Sequence, residues 1–250
     1  MYPQMVVDTA LRLSAIGLLD RENADVCGVS VSAVRHWRSG RRRIDRPVRL
    51  CPRCDHRLNE PAYAYLLGLY LGDGWLTGGR REVFALSISC CDAWPGLIAG
   101  AVAAMSDVMP ASKVFKVQRV GCTEVKSASK HWPCLFPQHG PGRKHLREIR
   151  LASWQQQIVD AHPGAFVRGL IHSDGCRFTN RVRRPLADGT ERWYEYPRYM
   201  FTNESADIRD LCCQALDLLG VAWRQSNRNT ISVARREAVA RLDEFVGPKF

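Results

Sequence analysis

The sequence predicts an α+β protein: two pseudo-symmetric αββαββα halves with packed central helices and a β saddle, preceded by a small all-α helix-turn-helix unit. Three observations predict it. A segment recurs, first as Leu66-Leu67-Gly68-Leu69-Tyr70-Leu71-Gly72-Asp73-Gly74, then as Val167-Arg168-Gly169-Leu170-Ile171-His172-Ser173-Asp174-Gly175; each is an apolar helical stretch ending in Asp-Gly. After each copy the same succession of helical and strand periodicities follows. Ahead of both lie three short helical patterns broken by a glycine turn. The repeat implies two similar half-domains, each delivering one carboxylate to a shared place. The expected borders are 1–38 for the helix-turn-helix unit, 39–58 for a basic linker, and 59–162 and 163–250 for the two halves.

Bulk properties bound the reading. The 250 residues can bury a sizeable core, and 46% hydrophobic with 24% charged residues is a globular composition. The net charge of +11 points to a polyanionic partner, nucleic acid first and an anionic membrane surface second. All but six of the 36 basic residues are arginine, which suits bidentate contact with phosphate and guanine. The segment Met1-Tyr2-Pro3-Gln4 lacks the basic and long apolar regions of a signal peptide, and the longest apolar runs are too short for a bilayer. The ten cysteines are therefore expected in a reducing cytoplasm, with Cys90-Cys91 and Cys212-Cys213 as small core residues.

Taken in order, Val6–Leu19 carries apolar residues at helical spacing, Arg21–Cys27 is a second short helix, Gly28-Val29-Ser30 a turn and Val31–Arg38 a third helix. The stretch from Asn23 to Trp37 resembles the helix-turn-helix of site-specific recombinases and small repressors. Ala24 allows close approach, Gly28 the tight turn and Ser30 a cap, while Val34 and Trp37 pack backward. That leaves Ser32, Ala33, Arg35 and His36 outward, facing a major groove. The tail Arg41, Arg42, Arg43 and beyond is broken by Gly and Pro and would track phosphates.

In the first half a helix (61–72) precedes a hairpin turning at Gly78-Gly79, a helix (95–109), a second hairpin (114–120 and 123–130) and a helix (146–161). The second half repeats the rhythm: a helix (164–173), strands 176–184 and 194–202, a helix (205–219), a hairpin (221–226 and 230–235) and a closing helix (237–245).

Small residues recur every fourth position along both motif helices: Ala64, Gly68 and Gly72 in one, Ala165, Gly169 and Ser173 in the other. Positions four apart share a face, so these helices can approach backbone to backbone and end together at Asp73 and Asp174. Gly74 and Gly175 are expected to give each helix a left-handed exit. Two carboxylates so placed repel each other and oppose the helix dipoles. A divalent cation relieves both conflicts, and oxygen ligands with several waters suit Mg²⁺.

With that motif pair the chain resembles the LAGLIDADG homing endonucleases in their single-chain, two-motif form, over roughly residues 59–250. The resemblance implies that the last acidic residue of each motif, Asp73 and Asp174, binds metal; the first acidic position of the family name is Leu71 in one motif and His172 in the other. It implies Mg²⁺-dependent hydrolysis of a phosphodiester in each strand of double-stranded DNA, short 3′ overhangs, and a monomer with internal pseudo-two-fold symmetry. Lys130 and Arg236, near the ends of matching strands, resemble the basic residues flanking the metals in that family.

The strands are expected to present a basic face to DNA. Arg177, Thr179, Arg181 and Arg183 alternate with Phe178 and Val182; Arg198 sits beside Tyr199, Arg224 beside Trp223, and Ser232 between Ile231 and Val233. Lys116 and Gln118 oppose Phe115 and Val117. These side chains are the expected contacts to phosphates and base edges.

Cys51-Pro52-Arg53-Cys54 is half of a zinc site, and Cys134 with His139 the expected other half, with His56, His131 and His145 as alternatives. A structural Zn²⁺ there would anchor the linker. The expected function is a free-standing, site-specific endonuclease whose helix-turn-helix extends its target. The competing readings are a non-cleaving, DNA-binding transcriptional regulator on the same scaffold and, third, an RNA-splicing maturase.

Overall fold

The computed structural model describes residues 2–40, 50–186, 190–247 and 249. The chain divides into two units, Met1–Arg49 and Leu50–Phe250. Cys51 and Cys54 therefore belong to the second unit rather than to a linker. The charged tail Arg41, Arg42 and Arg43 lies outside the described residues.

The first unit holds α1 (Gln4–Ala15), α2 (Asp20–Cys27) and α3 (Val31–Arg38). Gly28 adopts the left-handed conformation at φ 63 that ends α2, and the Ser30 hydroxyl accepts from the Ala33 amide at 3.2 Å to start α3. Asn23 is wholly buried, and its amide donates to the Ala10 carbonyl (2.7 Å) and the Ser14 hydroxyl (2.9 Å), locking α2 to α1. Val34 is buried and the Trp37 ring meets Tyr2 edge-on, while Ser32, Arg35 and His36 are exposed.

The second unit opens with α4 (Glu60–Asp73), β1 (Gly74–Gly78), β2 (Phe84–Cys91), α5 (Pro95–Val108), β3 (Val114–Arg119), β4 (Cys122–Ser129), α6 (Trp132–Leu135) and α7 (Ser153–Ala161). It continues with α8 (Pro163–Asp174), β5 (Gly175–Pro185), β6 (Glu191–Thr202), α9 (Ala206–Leu218), β7 (Arg224–Asn227), β8 (Thr230–Val233) and α10 (Arg236–Asp243). The two sheets are antiparallel with matching orders, β1-β2-β4-β3 and β5-β6-β8-β7. The expected α+β repeat is therefore present in both halves.

The motif helices lie at the centre. Every residue of α4 from Tyr63 to Leu71 is buried, the pattern of a helix enclosed on all sides. A Cβ placed on Gly68 would lie 2.5 Å from the Phe166 carbonyl oxygen and 2.7 Å from the Leu170 amide nitrogen of α8. Only hydrogen fits between these backbones.

Four local expectations change. Gly74 and Gly175 leave their helices in extended conformation (φ −101 and −108), not left-handed. They are glycines for lack of room: a Cβ on Gly74 would sit 2.5 Å from the Tyr70 Cα, and one on Gly175 2.7 Å from the Ile171 Cα. The helix expected from residue 146 begins at Ser153, because the Ile149 amide donates to Asp207 of α9 at 2.7 Å and draws this stretch out. β7 starts at Arg224 rather than at 221, since Val221 is buried in the core after the left-handed Gly220. The closing helix runs 236–243 rather than 237–245.

Candidate functional site

Asp73 and Asp174 are the last residues of α4 and α8, and both are half-buried. Each carboxylate lines a cavity to which both halves contribute. Asp174 Oδ2 lies 3.0 Å from where a Gly72 Cβ would be, and Asp174 lines a cavity of about 1130 Å³ walled by the end of α4, β1 and the 139–147 loop. Asp73 lines a smaller cavity of about 110 Å³ with His172, Ser173 and Lys249 of the second half. Burial, then the charge of Asp174, pushes the Asp73 carboxyl up to about 6. Burial also raises Asp174, against a 2.6 Å hydrogen bond from the Asn203 amide and the fields of Lys144 and Lys249.

Two lysines missed in the sequence organise this end. Lys144 Nζ donates to three carbonyls at the end of α4: Tyr70 (2.5 Å), Leu71 (2.8 Å) and Gly72 (2.7 Å). Lys249 Nζ donates to the carbonyls of Ser173 (3.3 Å) and Gly175 (2.5 Å) at the end of α8. Each ammonium caps the negative pole of one motif helix. Burial lowers both, Lys144 to about 8, while the two aspartates favour the charged form. The sequence held one signal: both lysines follow a Gly-Pro at the end of their half, Gly140-Pro141-Gly142-Arg143-Lys144 and Gly247-Pro248-Lys249. The cations whose fields reach the aspartates are thus Lys144 and Lys249, whereas Lys130, just past β4, and Arg236, opening α10, are exposed. His172 is a strut, with one ring nitrogen 3.0 Å from the Tyr65 hydroxyl and the other 2.9 Å from the Val246 carbonyl. Burial lowers it to about 4 and keeps it neutral.

Arg147 lines the larger cavity with Nε and Nη1 buried and lacking a hydrogen-bond partner among the described residues. Arg147 thus shares a cavity with Asp174, where unmatched N–H groups suit an anion.

Register decides which strand residues face outward, because residues directly opposed in an antiparallel pair share a face. Arg177 opposes the buried Tyr199, Arg181 opposes Glu195 and Arg183 opposes Trp193. Arg177 therefore lies on the helix-packed face, and Thr179, Arg181 and Arg183 continue that face along an exposed part of the hairpin. Arg177 forms a bidentate ion pair with Asp243 of α10 (2.7 and 2.9 Å), and Arg181 pairs with Glu195 at 3.1 Å. Lys116 and Gln118 likewise oppose Val125 and Thr123 on the core side, and Gln118 donates to Asp92 at 2.7 Å. The open face carries Trp75, Ser87, Lys126 and Phe115 across the first sheet. Across the second it carries Phe178 with Arg198, Asn180 with Tyr196, and Met200 with Ser232 and Arg224. Arg198, Arg224 and Ser232 are on this face, and Arg198 Nε and Ser232 Oγ are buried without a hydrogen-bond partner among the described residues.

Of the expected zinc ligands, Cys51, Cys54 and Cys134 come together, with all three sulfurs within 4.8 Å of one another. His139 does not join them: its ring packs edge-on against Phe84, centroids 5.9 Å apart. Among the described residues no helix is long and apolar enough to cross a membrane.

No protein-family profile and no curated protein sequence matches the chain. Solved structures do. The homing endonuclease I-DmoI, in its crystal structure with DNA and Mn, superposes with a TM-score of 0.50 at 16% identity, covering 76% of this chain and 99% of that one. The LAGLIDADG meganuclease I-AabMI bound to uncleaved DNA gives 0.46 at 11% identity, covering 73% and 83%. The N-terminal LAGLIDADG domain of WhiA gives 0.44 at 12%, covering 75% and 83%. The second unit has the two-halved LAGLIDADG fold.

Proposed function

We propose that the chain is a site-specific, divalent-metal-dependent double-strand DNA endonuclease. The observation that carries this reading is the pair Asp73 and Asp174, half-buried together at the ends of two glycine-packed helices. The donor set fits a hard cation: burial and the charge of Asp174 hold Asp73 at about 6, and a bound cation would relieve the second of these. Asp73 and Asp174, completed by water, would hold Mg²⁺. When bound, the ion supplies polarisation of a phosphate, activation of water and charge relief at the departing 3′ oxygen.

The protein's own groups do the rest. Lys144 and Lys249 fix the helix ends and so the carboxylates. The unpaired N–H groups of Arg147 bind a phosphate oxygen beside Asp174. Arg198, Arg224 and Lys126 track the backbone across the open faces, and Phe178 and Tyr196 pack against sugar and base edges. I-DmoI, which shares the fold, is solved in complex with DNA and Mn.

The exposed Ser32, Arg35 and His36 of α3 support a second DNA contact, and they favour the alternative of a regulator that binds without cutting. The readings separate in one assay. The endonuclease nicks target duplex with Mg²⁺, and Asp73→Asn and Asp174→Asn lose nicking while keeping binding. A regulator binds and cuts nothing with any divalent ion.

A further inference from the structure

The three cysteines line neither of the cavities that hold the aspartates. Cys51-Pro52-Arg53-Cys54 forms a tight knuckle: the Asp55 amide donates to the Cys51 carbonyl (2.9 Å), the Arg57 amide to Pro52 (2.9 Å), and the chain turns through His56 at φ 53. Eighty positions later, Cys134 of α6 brings its sulfur to 3.8 Å from that of Cys54. A tetrahedral zinc ion with Zn–S bonds of about 2.3 Å sets neighbouring sulfurs about 3.8 Å apart. Three thiolates around a divalent ion leave one negative charge, and Arg53 Nη1 stands 3.4 Å from the Cys134 sulfur to balance it. The same guanidinium stacks on Trp154 of α7 at 4.5 Å, tying a third segment to the cluster.

Core packing covers Cys51, Pro52 and Leu58 but not Cys54, which is exposed, and residues 50–58 form no helix or strand. A bound metal would cross-link this segment to α6. The knuckle faces a cavity of about 540 Å³ lined by Cys54, His56 and Glu60, which gives solvent access to a fourth coordination position.

We propose that Cys51, Cys54 and Cys134 form a structural three-thiolate zinc site that fastens the knuckle to α6 and sets the start of α4. The full chain, purified reduced from zinc-containing medium and desalted, is expected to carry about one zinc by elemental analysis. Cys54→Ser and Cys134→Ser each should lower retained zinc at least about tenfold. Cys122→Ser, and the double variant Asp73→Asn/Asp174→Asn, should retain it, which separates this site from the aspartate pair. Should the cysteine variants not fold, Co²⁺ added to metal-free wild type gives the second readout, a thiolate-to-cobalt charge-transfer band. A chain that carries no zinc, titrates all ten thiols as free and shows no such band overturns the proposal. So does a Cys54–Cys134 disulfide in the reduced preparation.

Discussion

Gly68 and Gly169 meet backbone to backbone: a Cβ added to Gly68 would stand 2.8 Å from the Gly169 Cα, and one added to Gly169 2.9 Å from the Gly68 Cα. This contact sets the spacing of the motif helices, and so the meeting of their acidic ends.

Gly68→Ala and Gly169→Ala should each destabilise the fold by about 1–3 kcal/mol or more, because the new methyl group meets main-chain atoms that cannot move aside. Gly78→Ala, whose added Cβ would find only the Phe84 ring at 3.5 Å, should stay near wild type. Denaturant unfolding of the three variants checks this.

The pH dependence of stability follows from Asp73. Its folded value, about 6, lies above the usual carboxylate value of 3.8, so the folded state binds the proton more tightly. The group's contribution is therefore full below about pH 4 and is lost as pH rises through 6, on the order of 3 kcal/mol. Metal-free wild type should lose this stability between pH 4 and 7, and Asp73→Asn should flatten that part of the curve. At pH 7.5 Mg²⁺ should raise the melting temperature of wild type and leave that of Asp73→Asn/Asp174→Asn unchanged.

Lys144→Ala should lose about 1–3 kcal/mol, since three carbonyls at the end of α4 lose their shared donor. Lys144→Arg should not restore the site, because three oxygens converge on one nitrogen and a planar fork cannot match them. Thermal melts and cleavage rates of both variants provide the check.

Arg177 and Arg198 should behave oppositely although both are strand arginines of one hairpin. Arg177→Ala breaks the ion pair with Asp243, lowering stability by about 1 kcal/mol while leaving the salt dependence of DNA binding unchanged. Arg198→Ala should reduce the slope of log K against log salt by about 1 with stability little altered. Fluorescence anisotropy at several salt concentrations distinguishes them.

That pair also marks where the sequence was legible. The motif helices were readable because small residues at four-residue spacing and a terminal Asp-Gly state a close helix contact locally, and Gly68 and Gly169 fulfil it. The αββαββα succession of both halves followed from periodicity and the repeat, whereas the strand order within each sheet was not stated by it. Strand faces were not readable. Phe178 and Val182 are the apolar members of β5, yet this hairpin reaches beyond the core, so hydrophobic alternation does not say which face is inside. The buried partner Tyr199, on the neighbouring strand, decides it for Arg177. Lys144 and Lys249 were hidden for a different reason: their partners are backbone carbonyls 72 to 76 positions away, and carbonyls have no identity in a sequence. Two of the three gathered zinc-site cysteines were marked by the Cys-Pro-Arg-Cys spacing, whereas His139 was chosen for its nearness in sequence to Cys134, and its ring turns to Phe84 instead.

The central claim is that Asp73 and Asp174 together cut DNA. Its most direct test is cleavage selection from a randomised duplex library with Mg²⁺, run with wild type and with Asp73→Asn/Asp174→Asn. One enriched sequence, cut in both strands by wild type and in neither by the double variant, is the predicted result. A library left intact by wild type, or cut equally by the variant, contradicts the account.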